Sequence, residues 1–264
     1  MTNLQYNSSA IDAGGCVSNA WNLVKQNYGM YLGITLIAVI LAGCIPCVSL
    51  FLVGPIMGGV FFVVLREMRG EPVDFGMMFR GFDKFVPLMV VGLVQSIPEV
   101  IAQILRFTAD IGRIGLDGAS RNGDFGFYQS SSSDAFPIAI ASGVLVVVII
   151  VAAVLFLFGV VWRILLFFAI PLVMEHNIGA IDAMKLSARA ATSNVGGLVL
   201  LFVLEILIGI LGIIMLCIGI FFVLPIMYAA NAFAYRQVFP MFEQAFQNVP
   251  PPPDVYGGSF GRGQ

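Results

Sequence analysis

The sequence predicts an all-α protein, a polytopic membrane helical bundle of about six spans built on a duplicated hairpin with flanking interfacial helices. Three observations predict it. First, 59% of the 264 residues are hydrophobic and 11% are charged, and the mean hydropathy is +0.96. Soluble domains run near 45–50% apolar and about 25% charged. Second, several apolar runs match or exceed the roughly 20 residues that cross a hydrocarbon layer. Third, Val53-Gly54-Pro55-Ile56-Met57 matches Val223-Leu224-Pro225-Ile226-Met227, and one offset of 170 relates Pro55 to Pro225, Cys47 to Cys217 and Arg66 to Arg236.

In chain order, residues 1–15 read as a flexible polar N-terminus, with Ser8, Ser9 and Asp12 as candidate helix caps. They lack the basic stretch, short apolar core and small-residue cleavage site of a secretory leader. The membrane domain is expected over residues 16–248, with repeat one at about 16–83 and repeat two at about 178–248. Val17, Trp21, Val24 and Tyr28 recur at helical spacing opposite Ser18, Asn22 and Lys25, which predicts an interfacial helix. Residues 29–65 form one apolar run, about 55 Å long as a single helix against about 30 Å of hydrocarbon, so the run must fold back. Proline breaks helices, and Cys44-Ile45-Pro46-Cys47 is therefore the expected corner.

Phe75, Met78, Phe79 and Phe82, opposed by Asp74, Arg80 and Asp83, predict a second surface piece. A third span is expected over about 85–105, interrupted by Pro98, before a polar outer loop at 106–136. The apolar run 137–174 predicts a span to about Phe158, continuing past Gly159 as a broken or tilted helix. Ile178, Ile181, Met184 and Ala188, opposed by Asp182, Lys185 and Arg189, predict another surface helix. The second hairpin follows, turning near 216–219. Phe239, Phe242 and Phe246 repeat the surface theme, and the Pro/Gly-rich tail 249–264 reads as disordered.

Basic residues set the orientation. Lys25, Arg66, Arg69, Arg80, Lys84, Lys185, Arg189, Arg236 and Arg262 fall on one side of the six-span arrangement, and Arg106, Arg113 and Arg121 on the other. The positive-inside rule then places both termini in the cytoplasm and the chain in the cytoplasmic membrane. Both hairpins would enter from the same side, as repeats related by an axis along the membrane normal do.

Trp21 with Asn27, Gly54-Pro55, Phe79 with Gly81-Phe82, and Ala183 with Ser187 and Asn194 carry a family resemblance. In these residues the chain resembles bacterial multi-pass membrane proteins of the YciC type, and the membrane domain attached to some glycerophosphodiester phosphodiesterases. The resemblance implies a six-helix membrane domain without established chemistry. The phosphodiesterase site itself is not expected, because the chain has one histidine, His176, and no clustered carboxylates.

Three groups of residues could carry function. Glu205, Arg163 and Glu99 are the charges placed in or near spans, where a charge should face a partner or water. Glu205 is expected near the midplane, with Arg163 as its partner, in a polar path or a packing ion pair. Pro55 and Pro225, with Gly54, are helix-kink candidates, useful to a transporter with interrupted helices and equally to simple packing. Cys44, Cys47 and Cys217 are redox candidates on the outer side. No metal site or cofactor is expected, and a net charge of -2 without a basic cluster argues against nucleic acid. The expected partners are the lipid bilayer and a membrane protein or a second copy. No catalytic constellation is present, so the sequence predicts a non-enzymatic membrane scaffold or accessory component. A small-solute or lipid transporter is the first alternative and a membrane thiol-disulfide oxidoreductase the second.

Overall fold

The structure, a computed structural model, describes residues 5–43, 46–121, 135–214 and 219–240. Among the described residues it is helical without strand: α1 (Ala13–Val24), α2 (Tyr28–Gly43), α3 (Pro46–Glu67), α4 (Phe85–Gln95), α5 (Ile97–Arg121), α6 (Ala135–Leu165), α7 (Ala169–His176), α8 (Ala180–Thr192), α9 (Val195–Ile214) and α10 (Gly219–Val238), with 3-10 helices at Lys25–Asn27 and Phe75–Lys84. By length and composition five helical segments could cross a membrane, or six if the bent pair Phe75–Gln95 and Ile97–Thr108 counts as one. Large apolar side chains along α6 and α9, among them Val147, Ile150, Val154, Leu157, Leu207 and Leu211, are exposed. Several long apolar helices with such surfaces fit an integral membrane protein. The chain divides into two compact units, Met1–Tyr28 with Ser193–Gln264, and Gly29–Thr192.

In the first unit α1 lies along α10 and touches α9. Its buried face is Ala13, Cys16, Ala20 and Val24, whereas Trp21, of the expected apolar face, is half exposed. Residues 5–12, expected to be flexible, are tied down. Asn7 N donates to Val238 O at 2.9 Å, Asp12 N to Gln237 Oε1 at 2.8 Å and Ala10 N to Asn194 Oδ1 at 2.9 Å, and Asn194 Nδ2 donates to Asn7 O at 3.0 Å. The strap thus gives one of the last α10 carbonyls, which have no donor within the helix, a partner. Gly197 makes room for it, because a Cβ there would stand 2.8 Å from Ile11 O.

In the second unit the 3-10 helix Phe75–Lys84 does not sit apart on a surface. It packs on the middle of α3, where a Cβ at Gly59 would lie 1.6 Å from Met78 O and one at Gly81 would lie 1.9 Å from Pro55 O. Gly54 meets α4 in the same way, 2.0 Å from Leu88 O for an added Cβ. Asp74 caps the 3-10 helix by accepting from Gly76 N at 3.2 Å.

The expected interruption of the third span falls at Ser96, where α4 and α5 part with a bend of 50°. Two further expectations need correction. The outer loop begins later than residue 106, because α5 runs on to Arg121; residues 122–134 lie outside the described set. The long helix α6 passes Gly159 unbroken and ends at Leu165. In α8 the buried face is Ala183, Ser187, Ala190 and Ala191, with Ile181 exposed, again the small-residue side. Small residues let helix axes approach closely, and lipid takes large apolar side chains without penalty.

Helix ends at Gly43 and Pro46, and at Ile214 and Gly219, bracket the two expected hairpin corners. The corner residues 44–45 and 215–218, and residues 241–264 with the Pro-rich tail, lie outside the described residues.

Candidate functional site

The most highly organised polar region of the second unit lies where two helices are interrupted. Pro98 has no N–H, so the carbonyl four residues earlier, Val94 O, loses its helical donor. Trp162 of α6 supplies one, its indole Nε1 donating to Val94 O at 2.8 Å. The other interruption is Leu166–Phe168, between α6 and α7. There Gln95 Nε2 donates to Leu166 O at 2.8 Å. Ser187 of α8 completes the region: its Oγ donates to Leu165 O at 2.8 Å and accepts from Phe168 N at 3.0 Å. Four backbone groups at two helix breaks thereby acquire partners from three side chains. An apolar medium demands this, since each orphaned backbone group there costs several kcal/mol.

The same chemistry recurs at Pro225 in the first unit, where Tyr28 OH donates to Phe222 O at 2.7 Å, beside the carbonyl that Pro225 leaves without a helical donor. Tyr28 and Phe222 also stack, ring centroids 6.2 Å apart. Pro55 lies inside α3 and is buried, its own carbonyl against Gly81.

One end of the second unit gathers charge. Arg66 pairs with Glu71 at 2.8 Å, Arg69 with Glu175, and His176 lies 3.8 Å from Glu175. Lys84 Nζ donates to Val173 O at 3.1 Å and to Met174 O at 2.7 Å, serving the last carbonyls of α7. Asn177 closes that helix in the left-handed region at φ 54°, a conformation asparagine tolerates.

Of the residues singled out from sequence, Glu205 is buried on the α9 face that carries Leu198, Leu201 and Gly212. Arg163 and Glu99 are exposed, on α6 and α5. Glu205 belongs to the first unit and Arg163 to the second. Pro55, Pro225 and Gly54 are buried. Cys44 and Cys217 lie outside the described residues, and Cys47 directly follows Pro46 at the start of α3. Among the described residues no three His, Cys, Asp or Glu side chains gather as a metal site. Sequence reasoning passed over Gln95, Trp162 and the role of Ser187. The usable signal was a glutamine and a proline three residues apart in an apolar run.

The fold and this region define an all-helical protein whose long apolar helices suit a membrane and whose deep polar side chains serve the backbone. Comparison with protein-family models, with curated proteins and with solved structures finds no match to this chain.

Proposed function

We propose that the chain is a non-catalytic scaffold or accessory component of the cytoplasmic membrane, crossing it six times with both termini in the cytoplasm. One observation carries the reading. Gln95, Trp162 and Ser187 direct their polar atoms to backbone groups at helix breaks, and Tyr28 directs its hydroxyl to a carbonyl within α10 close to Pro225, an arrangement that holds a shape. The duplicated hairpin belongs to the proposal. Ala13 and Ala183, Ala20 and Ala190, Pro55 and Pro225, Gly59 and Ala229, and Val60 and Ala230 are related by the same offset of 170, and all ten are buried. So does the resemblance to YciC-type proteins, since Gly54, Gly81, Ser187 and Asn194, which carry it, are the residues at close backbone approaches and helix ends. Mild extraction after in-membrane crosslinking should recover a stoichiometric membrane partner; a protein that purifies alone under every such condition would overturn the scaffold reading.

A second reading, a small-solute or lipid transporter, is favoured by two facing helix interruptions and by the buried carboxyl of Glu205. Interrupted helices at matched positions are common in transporters. In proteoliposome flux assays Glu205→Gln should abolish coupled uptake if this reading holds, and unchanged flux would remove it.

A further inference from the structure

We infer that α5 is a lipid-bound amphipathic helix, seated in the boundary between acyl chains and headgroups of the bilayer. The inference rests on the membrane reading, and within it the third crossing is made by Phe75–Gln95 alone, with α5 following it along the boundary. On a helix of 3.6 residues per turn, Ile97, Val100, Ile101, Ile104, Leu105, Phe107 and Ile111 occupy an arc of about 160°, and Glu99, Gln103, Arg106 and Asp110 fill a separate arc of about 60°. All eleven residues are exposed. Phe107 is 69% exposed and Ile104 59%, among the most open large apolar side chains of the described residues.

Lipid is the occupant that fits. An apolar arc of about 160° is wider than the seam by which one helix grips another. The arc also continues a surface already suited to acyl chains, because α5 packs beside α6, whose Val147, Ile150, Val154 and Leu157 are exposed. Thr108 is the one hydroxyl within the apolar arc, and its Oγ1 donates to Ile104 O at 2.6 Å, so it brings no unsatisfied donor into hydrocarbon. The 50° bend at Ser96 turns α5 away from the axis of α4. With the average span tilt of about 20° in the same sense, such a bend brings a helix to about 20° from the membrane plane. Glu99, Arg106 and Asp110 alternate in sign, which suits a zwitterionic headgroup layer better than an anionic one.

The test uses the full chain with Cys16, Cys44, Cys47 and Cys217 replaced by alanine, reconstituted in phosphatidylcholine vesicles. Single cysteines carrying a nitroxide are placed at Val100, Ile104, Phe107 and Ile111, and at Gln103, Arg106 and Asp110. Collision with oxygen should dominate at the first four positions and collision with a water-soluble nickel chelate at the last three. Nickel dominance at all seven would place α5 in water and overturn the inference. Dipolar broadening at Phe107 that vanishes on dilution with unlabelled protein would place a second copy there and overturn it too. Labels at Val154 and Leu207 report the membrane reading separately: nickel dominance at those two would mean that the membrane reading itself has failed. Should the cysteine-free chain not fold, Phe107→Trp and Arg106→Trp in the native background give the same answer. Added fluorescence at Phe107→Trp should be quenched by brominated acyl chains and that at Arg106→Trp should not; the reverse order overturns the inference.

Discussion

Gln95 Nε2 lies 2.8 Å from Leu166 O, so the last residue of α4 reaches into the gap between α6 and α7. Trp162 Nε1 makes the reciprocal connection, 2.8 Å from Val94 O, from α6 to the end of α4. The two interruptions are tied to each other by one side chain from each, so neither can straighten or shift without breaking a bond at the other. A kink that is hydrogen-bonded from outside is a fixed corner.

Trp162→Phe should therefore destabilise more than Gln95→Leu. Val94 O has no helical donor because of Pro98, whereas Leu166 O also accepts from Ala169 N at 3.1 Å. Leaving a buried polar group unmatched costs about 1–3 kcal/mol. Because Val94 O is partly buried and lies near Ser96 N as well, thermal unfolding of the purified protein in detergent should register a loss toward the lower end of that range for Trp162→Phe. In a Pro98→Ala background the restored N–H can serve Val94 O, and the same substitution should cost distinctly less. Equal costs in both backgrounds would mean that the indole contributes through packing alone.

The fold was readable where a single residue forces a local outcome, and hidden where partners lie far apart. Pro98 announced an interruption, and helices end or begin at Gly43 and Pro46, and at Ile214 and Gly219, on either side of the residues where corners were expected. The donors that serve the breaks are separated from their acceptors by 68 residues for Trp162 and 71 for Gln95, and no local pattern links them. The surface helices bury a small-residue side that the sequence reading did not single out: Ala20 and Ala190 are buried while Trp21 and Ile181, on the expected apolar faces, are exposed, as suits large apolar side chains that meet lipid. The Gly, Ser and Asp content of residues 106–136 reads as loop, although Glu99, Gln103, Arg106 and Asp110 share one side of α5.

Glycine substitutions should separate into two classes. At Gly59 and Gly81 an added methyl would lie 1.6 Å from Met78 O and 1.9 Å from Pro55 O, both backbone atoms that cannot swing aside. At Gly29 and Gly209 a methyl meets nothing within 4 Å. Gly59→Ala and Gly81→Ala should abolish monodisperse protein on gel filtration or cost at least about 3 kcal/mol, beyond the usual range of overpacking. Gly209→Ala should be neutral or stabilise by about 0.5–1 kcal/mol, the ordinary helical preference for alanine.

The N-terminal strap should come loose through one side chain. Asn194 accepts from Ala10 N at 2.9 Å and donates to Asn7 O at 3.0 Å, fixing the strap at two points. Asn194→Ala removes both, and hydrogen exchange at the Ala10 amide should accelerate at least about tenfold, equivalent to about 1.4 kcal/mol. The Asp12 amide, held by Gln237 Oε1 at 2.8 Å, should change less. Uniform acceleration across the strap would mean that it releases as one piece.

Ser187 and Arg69 set a buried hydrogen bond against an exposed ion pair. Ser187 is fully buried and serves two backbone groups, so Ser187→Ala leaves Leu165 O and Phe168 N unmatched at about 1–3 kcal/mol each. The Arg69 side chain is 39% exposed, and its pairing with Glu175 is screened by water and salt. Arg69→Gln should cost no more than about 1 kcal/mol. That cost should shrink as ionic strength rises toward 1 M, where the Debye length falls to about 3 Å, while the cost of Ser187→Ala should be indifferent to salt. Parallel melts of both variants at low and high salt make the comparison. A salt-sensitive Ser187→Ala would mean that the serine acts through the nearby charges; a gap between the two variants that widens with salt would leave the helix break as the element that the serine holds.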